Sequence, residues 1–343
     1  MIFNNFGENF YVRGPGEAAL NAFILIVSPW FMPLMFALAG ISTAYALERR
    51  TSKQYAAERL TKLFIPFAAG LLLLIPVQTY FAERFHNGYT GGYFQQYILF
   101  FTKPTDLSGY TGGFTPGHLW FILYLFVISL VMLPIIQWYR KGRHKLPTDR
   151  MTVPLLLPMF ILTSLLSLVL NLGGKSVGYF LGYFSLGFFI LSADAIQRKL
   201  EKNRWLLLAA FVALTAVKYI FREDITRYSD ILYGLFHDFV AWLGILSLLG
   251  LGKRYLEVGN KVTRYFAEGS FPIYIFHQTV LVAAAFYVFR LTSSVPLQVA
   301  CIIVLTFIVT VAVYELFRRL PPTRFLFGIK KPAPREKTPP PTA

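Results

Sequence analysis

The sequence predicts an all-α protein, a polytopic integral membrane bundle of about nine spanning helices, on three observations. Of its 343 residues, 55% are hydrophobic and only 15% charged, a balance found in polytopic membrane proteins rather than soluble domains. Uncharged runs of about 20 residues recur along the chain, and each is long enough to cross a hydrocarbon core roughly 30 Å thick. The Lys and Arg surplus behind the net charge of +16 falls in the short connections between these runs, in every second one. That alternation is what the positive-inside rule produces, and no nucleic-acid motif accompanies the charge, so it reports topology rather than a nucleic-acid partner. Cys301 has no second cysteine to pair with and says nothing about redox compartment.

Residues 1–17 are polar and glycine-bearing, and no charge then occurs between Glu17 and Glu48, which defines the first span. Pro29 and Pro33, on either side of Trp30, remove backbone donors and predict a kinked or broken helix there. Arg49, Arg50, Lys53, Arg59 and Lys62 lead into a second uncharged run, 63–82. The longest polar segment, 83–117, holds Tyr89-Thr90-Gly91-Gly92-Tyr93 and its echo Tyr110-Thr111-Gly112-Gly113-Phe114. The echo is too short for a structural repeat and reads as Gly-Gly turns flanked by interfacial tyrosines.

A third span, 119–139, follows Pro116-Gly117-His118, and the cluster Arg140, Lys141, Arg143, Lys145 and Arg150 leads to a fourth, 151–174. A tight turn returns the chain through a fifth, 176–193. The sixth is weaker, because only 205–217 is uncharged and Lys218 must snorkel. The seventh, 231–252, carries His237 and Asp238; the eighth, 269–289, carries His277; the ninth is 291–314. The Pro- and Lys-rich stretch 320–343 reads as a disordered tail. With the basic loops cytoplasmic, the N-terminus, 83–117 and the turns near Lys175, Arg227 and Arg290 face outward and the C-terminus faces inward. An outward N-terminus requires residues 1–17 to be translocated without an anchor, so one further span is expected to precede this chain.

Titratable groups inside spans are the best pointers to chemistry, since a charge at mid-bilayer costs about 2.5–3.5 kcal/mol on insertion scales and faces a polar interior. His118, the His237/Asp238 pair and His277 qualify, with His277 about 13 Å beyond Glu268 by helical rise. The bland alternative for each His is an imidazole bonded to a neighbouring backbone or hydroxyl group. Arg59 and Lys62 stand three apart on one helix face and suit phosphate, although positive-inside anchoring demands cations there in any case. The chain has no Walker loop, Rossmann fingerprint, paired-carboxylate site or metal-ligand cluster, so no metal or nucleotide cofactor is expected.

Four motifs carry a resemblance: Trp30-Phe31-Met32-Pro33-Leu34-Met35-Phe36-Ala37-Leu38-Ala39-Gly40; Arg59, Lys62, Leu63 and Pro66; Gly117-His118-Leu119-Trp120-Phe121; and Ser270-Phe271-Pro272-Ile273-Tyr274-Ile275-Phe276-His277-Gln278. In this order they resemble the membrane-bound acyltransferase 3 family, most of all its glucan biosynthesis group. The resemblance implies a domain over 18–319, between the outward segment 1–17 and the cytoplasmic tail 320–343. It implies transfer of an acetyl or succinyl group from cytoplasmic acyl-CoA to a hydroxyl of an extracytoplasmic carbohydrate or glucan, in a bacterial inner membrane. The family's first helix, with a His regarded as catalytic, lies before the point where this sequence begins, in agreement with the expected preceding span. The family's paired Arg motif maps to Arg59 and Lys62 as donor-binding residues, with a point charge replacing a planar two-point grip at the second position. His118 and His277 are then the catalytic candidates, and Trp120, Asp238 and Gln278 the acceptor-binding candidates. A transporter of a glycan or small polar solute is the competing class, since carriers also place titratable residues at mid-membrane. A non-catalytic partner in glycan assembly is the third.

Overall fold

A computed structural model describes residues 2–3, 10–105, 107, 112–142, 146–172, 175–256 and 259–330. Helix dominates because a backbone in hydrocarbon must satisfy its own N–H and C=O groups. In chain order the helices are α1 (Ala18–Arg49), α2 (Ser52–His86), α3 (Tyr93–Thr102), α4 (Gly117–Lys141), α5 (Val153–Leu166), α6 (Val177–Leu191) and α7 (Asp194–Lys202). They continue as α8 (Arg204–Ile220), α9 (Arg222–Tyr228), α10 (Asp230–Tyr255), α11 (Lys261–Leu291), α12 (Val295–Phe317) and α13 (Pro321–Leu326). Strands β1 (Asn171–Leu172) and β2 (Lys175–Ser176) form one antiparallel pair.

Six helices, α1, α2, α4, α10, α11 and α12, are long and apolar enough to span a membrane, and up to eight spans result if each bent pair, α6–α7 at 95° and α8–α9 at 73°, counts as one. The expected nine therefore shrink to six to eight among the described residues. The fourth expected span is the shortfall. Its helix α5 ends at Leu166, Leu170 takes a left-handed φ of 55°, and the β1–β2 pair turns the chain back early. The break expected at Pro29 and Pro33 is also absent, because α1 runs unbroken through both prolines while packed against α6 and α10.

The core is centred on Phe36, Tyr183, Phe184 and Trp242, all fully buried. It depends on a close crossing of α1 and α6. A Cβ at Gly40 would lie 2.1 Å from the Phe184 carbonyl oxygen, and one at Gly187 2.2 Å from that of Ala37. Small residues let two backbones approach where lipid supplies no hydrophobic drive. The basic ends gather on one side: Arg140 donates to the Leu47 carbonyl at 2.8 Å, and Lys199 donates to those of Asp149 and Met151 at 2.6 and 2.8 Å. Arg143 and Lys145 lie outside the described residues.

At the other end, the polar-looking N-terminal segment contributes apolar anchors. Ile2, Phe3, Tyr11 and Val12 are buried in a cluster with Phe81, Phe286 and Val288. The long segment between α2 and α4 is clamped by Lys103 on Glu83 at 2.7 Å and by Gln96 donating to the Gly112 carbonyl at 2.8 Å; Tyr110 and Thr111 of the echoed motif fall outside the described residues. The expected disorder after 320 is corrected over 321–330. There α13 ends in a turn closed by Ile329 N–H on the Arg324 carbonyl, with Gly328 at φ +62°, and Phe327 and Ile329 are buried. With Gly328 N–H on the Phe325 carbonyl, this is a Schellman-type closure. Residues 331–343 lie outside the described residues.

Gly187→Ala is expected to lower stability in detergent by about 1–3 kcal/mol, because the α1–α6 crossing must open to admit the methyl group. Gly234→Ala, where a Cβ meets nothing within 4 Å, should be neutral or stabilising, since Ala exceeds Gly in helix propensity by about 1 kcal/mol. Thermal unfolding of both variants checks the contrast.

Candidate functional site

A single 3-10 turn, Gly117–Leu119, opens α4. Gly117 has φ +51°, and a Cβ there would lie 2.8 Å from both Ile75 Cδ1 and the Tyr11 hydroxyl, so the turn closes only around glycine. Its N–H donates to Thr115 Oγ1 at 3.1 Å. The turn aims His118 at the middle of α11, where its Nε2 lies 3.0 Å from the Ile275 carbonyl oxygen. The Tyr274 hydroxyl donates to the His118 carbonyl, and His277 Nδ1 bonds the Tyr274 carbonyl. The two imidazole rings come within 5.4 Å, centroid to centroid, at 86°.

A carbonyl oxygen can only accept, so these bonds assign the protons: His118 carries its hydrogen on Nε2 and His277 on Nδ1. In the neutral rings the lone pairs are left on His118 Nδ1 and His277 Nε2. His118 Nδ1 is buried and has no hydrogen-bond partner among the described residues. The bland reading of each histidine is thus half met, with one nitrogen of each ring fixed to backbone.

Gln278 joins this centre. Its Nε2 donates to Gln78 Oε1 at 3.3 Å, Gln78 Nε2 donates to Thr279 Oγ1 at 2.8 Å, and Thr279 donates to the Leu74 carbonyl at 3.4 Å. This polar ladder ties α2 to α11 beside His277. Tyr274, Gln78 and Thr279 escaped the sequence reading, although neutral amides in an uncharged run were a usable signal.

Trp120 and Asp238 lie elsewhere. Trp120 packs on Tyr124 and Phe180, each at 5.2 Å, with the Lys175 ammonium 5.3 Å from its ring centroid. A recess of about 240 Å³ opens there, lined among others by Pro29, Met32, Trp120, Lys175, Tyr179 and His237. The recess lies beside the α5–α6 hairpin, which the Tyr124 hydroxyl holds by donating to the Lys175 carbonyl at 3.2 Å. Asp238 stands behind it, accepting from Ser164 Oγ at 2.6 Å and from the Tyr179 hydroxyl at 3.0 Å. It reaches the recess only through Tyr179.

Arg59 and Lys62 stand at the opposite end of α2, around a π-helical turn, Leu60–Phe64. The Arg59 guanidinium lies 4.5 Å from the Tyr55 ring centroid, and Lys62 pairs with Glu58 at 3.3 Å. Lys62 is roughly 18 Å from Leu74 at about 1.5 Å rise per residue, so the two cations and the two imidazoles occupy different levels of one bundle. Among the described residues no group of three or more His, Cys, Asp or Glu is arranged to hold a metal ion.

A family profile described as an acyltransferase domain, acyltransferase 3, matches residues 3–315. Glucans biosynthesis protein C of Salmonella typhimurium is 24% identical to the chain, over 92% of this chain and 86% of its own length. The proteins of that name from Salmonella paratyphi B and Salmonella paratyphi A are each 23% identical over the same shares. No solved structure matches the chain.

Tyr179→Phe is expected to lower stability by about 1–3 kcal/mol, because it removes one of two donors to a carboxylate held among helices. Ser164→Ala should act similarly. The double variant should depart from the sum of the two in thermal unfolding, since both hydroxyls serve the same group.

Proposed function

The chain belongs to the acyltransferase 3 family and is an integral membrane acyltransferase of the non-aminoacyl kind, and from that premise we propose that it moves an acetyl or succinyl group from cytoplasmic acyl-CoA to a hydroxyl of an outer-side carbohydrate, a glucan in the first instance. The observation that carries this reading is the His118–His277 pair, two imidazoles 5.4 Å apart with their tautomers fixed by backbone carbonyls. His118 Nδ1 takes the proton of the acceptor hydroxyl as the hydroxyl oxygen attacks the thioester carbonyl. The C–S bond breaks, the acyl group leaves on the sugar oxygen, and the departing thiolate takes a proton from the imidazolium. Imidazole suits both steps because its ordinary pKa lies near operating pH. His277, its ring 5.4 Å from that of His118, orients the acceptor and relays the proton, and Gln278 supplies an amide beside it.

Trp120 offers an aromatic face for a sugar ring, with Lys175, Tyr179 and His237 around the same recess and Asp238 orienting the Tyr179 hydroxyl. Arg59 and Lys62 hold the phosphates of coenzyme A on the basic, cytoplasmic side, and its extended pantetheine arm covers the distance to the imidazoles. Positive-inside charge supports a bacterial inner-membrane orientation with the C-terminus inside.

The test is acyl transfer in vesicles with acyl-CoA enclosed and glucan outside. His118→Ala and His277→Ala should each reduce transfer by roughly a hundredfold or more, the usual worth of a general base, with coenzyme A binding intact. Normal transfer by His277→Ala removes that residue from the mechanism. Mass spectrometry of surface glycans with and without the gene should show a lost acetyl or succinyl increment, and unchanged glycans would falsify the acceptor assignment. For orientation, cysteine labels after Lys202 should report inside and labels near Gly92 outside; an inside label near Gly92 reverses the topology.

A further inference from the structure

The segment after the last span is built rather than loose, and it is built against the start of α2. Helix α13 packs on the stretch of α2 that follows the π-helical turn. Gly328 backs directly onto that turn: a Cβ there would lie 3.3 Å from Pro66 Cγ and 3.6 Å from the Lys62 carbonyl oxygen. Two apolar anchors fix the strap. Phe327, 2% exposed, sits 4.8 Å from the Phe276 ring and 5.5 Å from that of Phe317, and Ile329 is buried beside it. Phe276 is the neighbour in sequence of His277. Around these anchors the strap carries Arg324, half-buried, and Lys330, exposed. Glu58 already pairs with both Arg50 and Lys62, so the cations at this corner outnumber the acid that serves them.

We propose that the C-terminal strap, Pro321 to Lys330, is one wall of a phosphate-binding site at the basic end of the bundle, where Arg324 and Lys330 join Arg59 and Lys62 to grip the phosphates of a nucleotide-bearing acyl donor of the coenzyme A class. The inference rests on the donor reading above and adds the strap to it. Four cations borne on two separate elements suit a polyphosphate, whose charge is spread over several groups, better than a single carboxylate. The Schellman-type turn holds Arg324 and Lys330 on either side of the buried Phe327, so the basic side chains are presented from a fixed backbone rather than a free tail. Phe327 also sets Phe276, so the strap that meets the phosphates contacts the residue next to His277.

The test uses the full-length protein in nanodiscs of neutral phosphatidylcholine, with coenzyme A as the probe in calorimetric or fluorescence titration. Arg324→Gln with Lys330→Gln should weaken coenzyme A binding about tenfold, as loss of charge-assisted phosphate contacts does, while Arg324→Lys with Lys330→Arg restores most of the affinity. Phe327→Ala, which frees the strap without changing charge, should weaken binding as well. If Arg59→Gln with Lys62→Gln weakens binding but the strap variants bind like the parent, the strap is overturned and the donor reading stands. A parent that does not bind coenzyme A overturns both. In nanodiscs containing phosphatidylglycerol, a strap variant that loses retained anionic lipid but keeps coenzyme A affinity assigns the site to a headgroup and overturns the proposal.

Discussion

Two backbone carbonyls on one turn of α11, those of Tyr274 and Ile275, hold both imidazoles of the central pair. A helical carbonyl already accepts one bond from within its own helix, and its second lone pair is the only acceptor that an apolar bundle offers without adding a polar side chain. Using it fixes the tautomer of each ring and directs the free nitrogen away from the helix. The Tyr274 hydroxyl then returns a bond to the His118 backbone, so α4 and α11 are joined in both directions. The arrangement depends on Gly117, because any side chain there would meet Ile75 and Tyr11 and shift the turn that aims His118.

The rest of the bundle makes room on either side of that joint. The glycine crossing of α1 and α6 draws two helices close at Gly40 and Gly187, and the β1–β2 pair turns the chain back after α5. Trp120, Lys175 and Tyr179 line a recess beside that turn. The hydroxyls that serve Asp238 come from α5 and α6 themselves, so the two helices that flank this turn also satisfy the carboxylate.

Much of this was legible in the sequence. Charge-free runs located the long spans, and the cost of a titratable group in hydrocarbon singled out His118 and His277, which the fold brings together. Their meeting is a tertiary fact that spacing alone does not carry, since nearly half of the chain lies between them. Trp120 shows a limit of adjacency: two residues on from His118 and past the 3-10 turn, it packs on Tyr124 and Phe180 beside the recess rather than on the imidazole pair. Of the kink or break expected at Pro29 and Pro33, no break occurs, because propensity describes an isolated helix, whereas α1 is packed against α6 and α10. The strap was hidden because two anchors, Phe327 and Ile329, are few among prolines and cations, and composition averages them away.

The loop between α2 and α4 shows how the molecule holds the His118 turn in register where water competes for polar bonds. Glu83, with its side chain only 7% exposed, accepts from Lys103 at 2.7 Å and from Asn87 at 3.1 Å. An ion pair buried in this way adds little net stability against apolar residues of the same shape, but losing one partner leaves an uncompensated charge. Its effect is therefore selective: it penalises arrangements in which the segment after α3 leaves the end of α2. That segment leads through Gly112 and Thr115 to the turn at Gly117. Clamping it at Glu83 fixes the approach to His118 from the loop side, as Tyr274 and Ile275 fix it from within the bundle, and the imidazole is held from both directions.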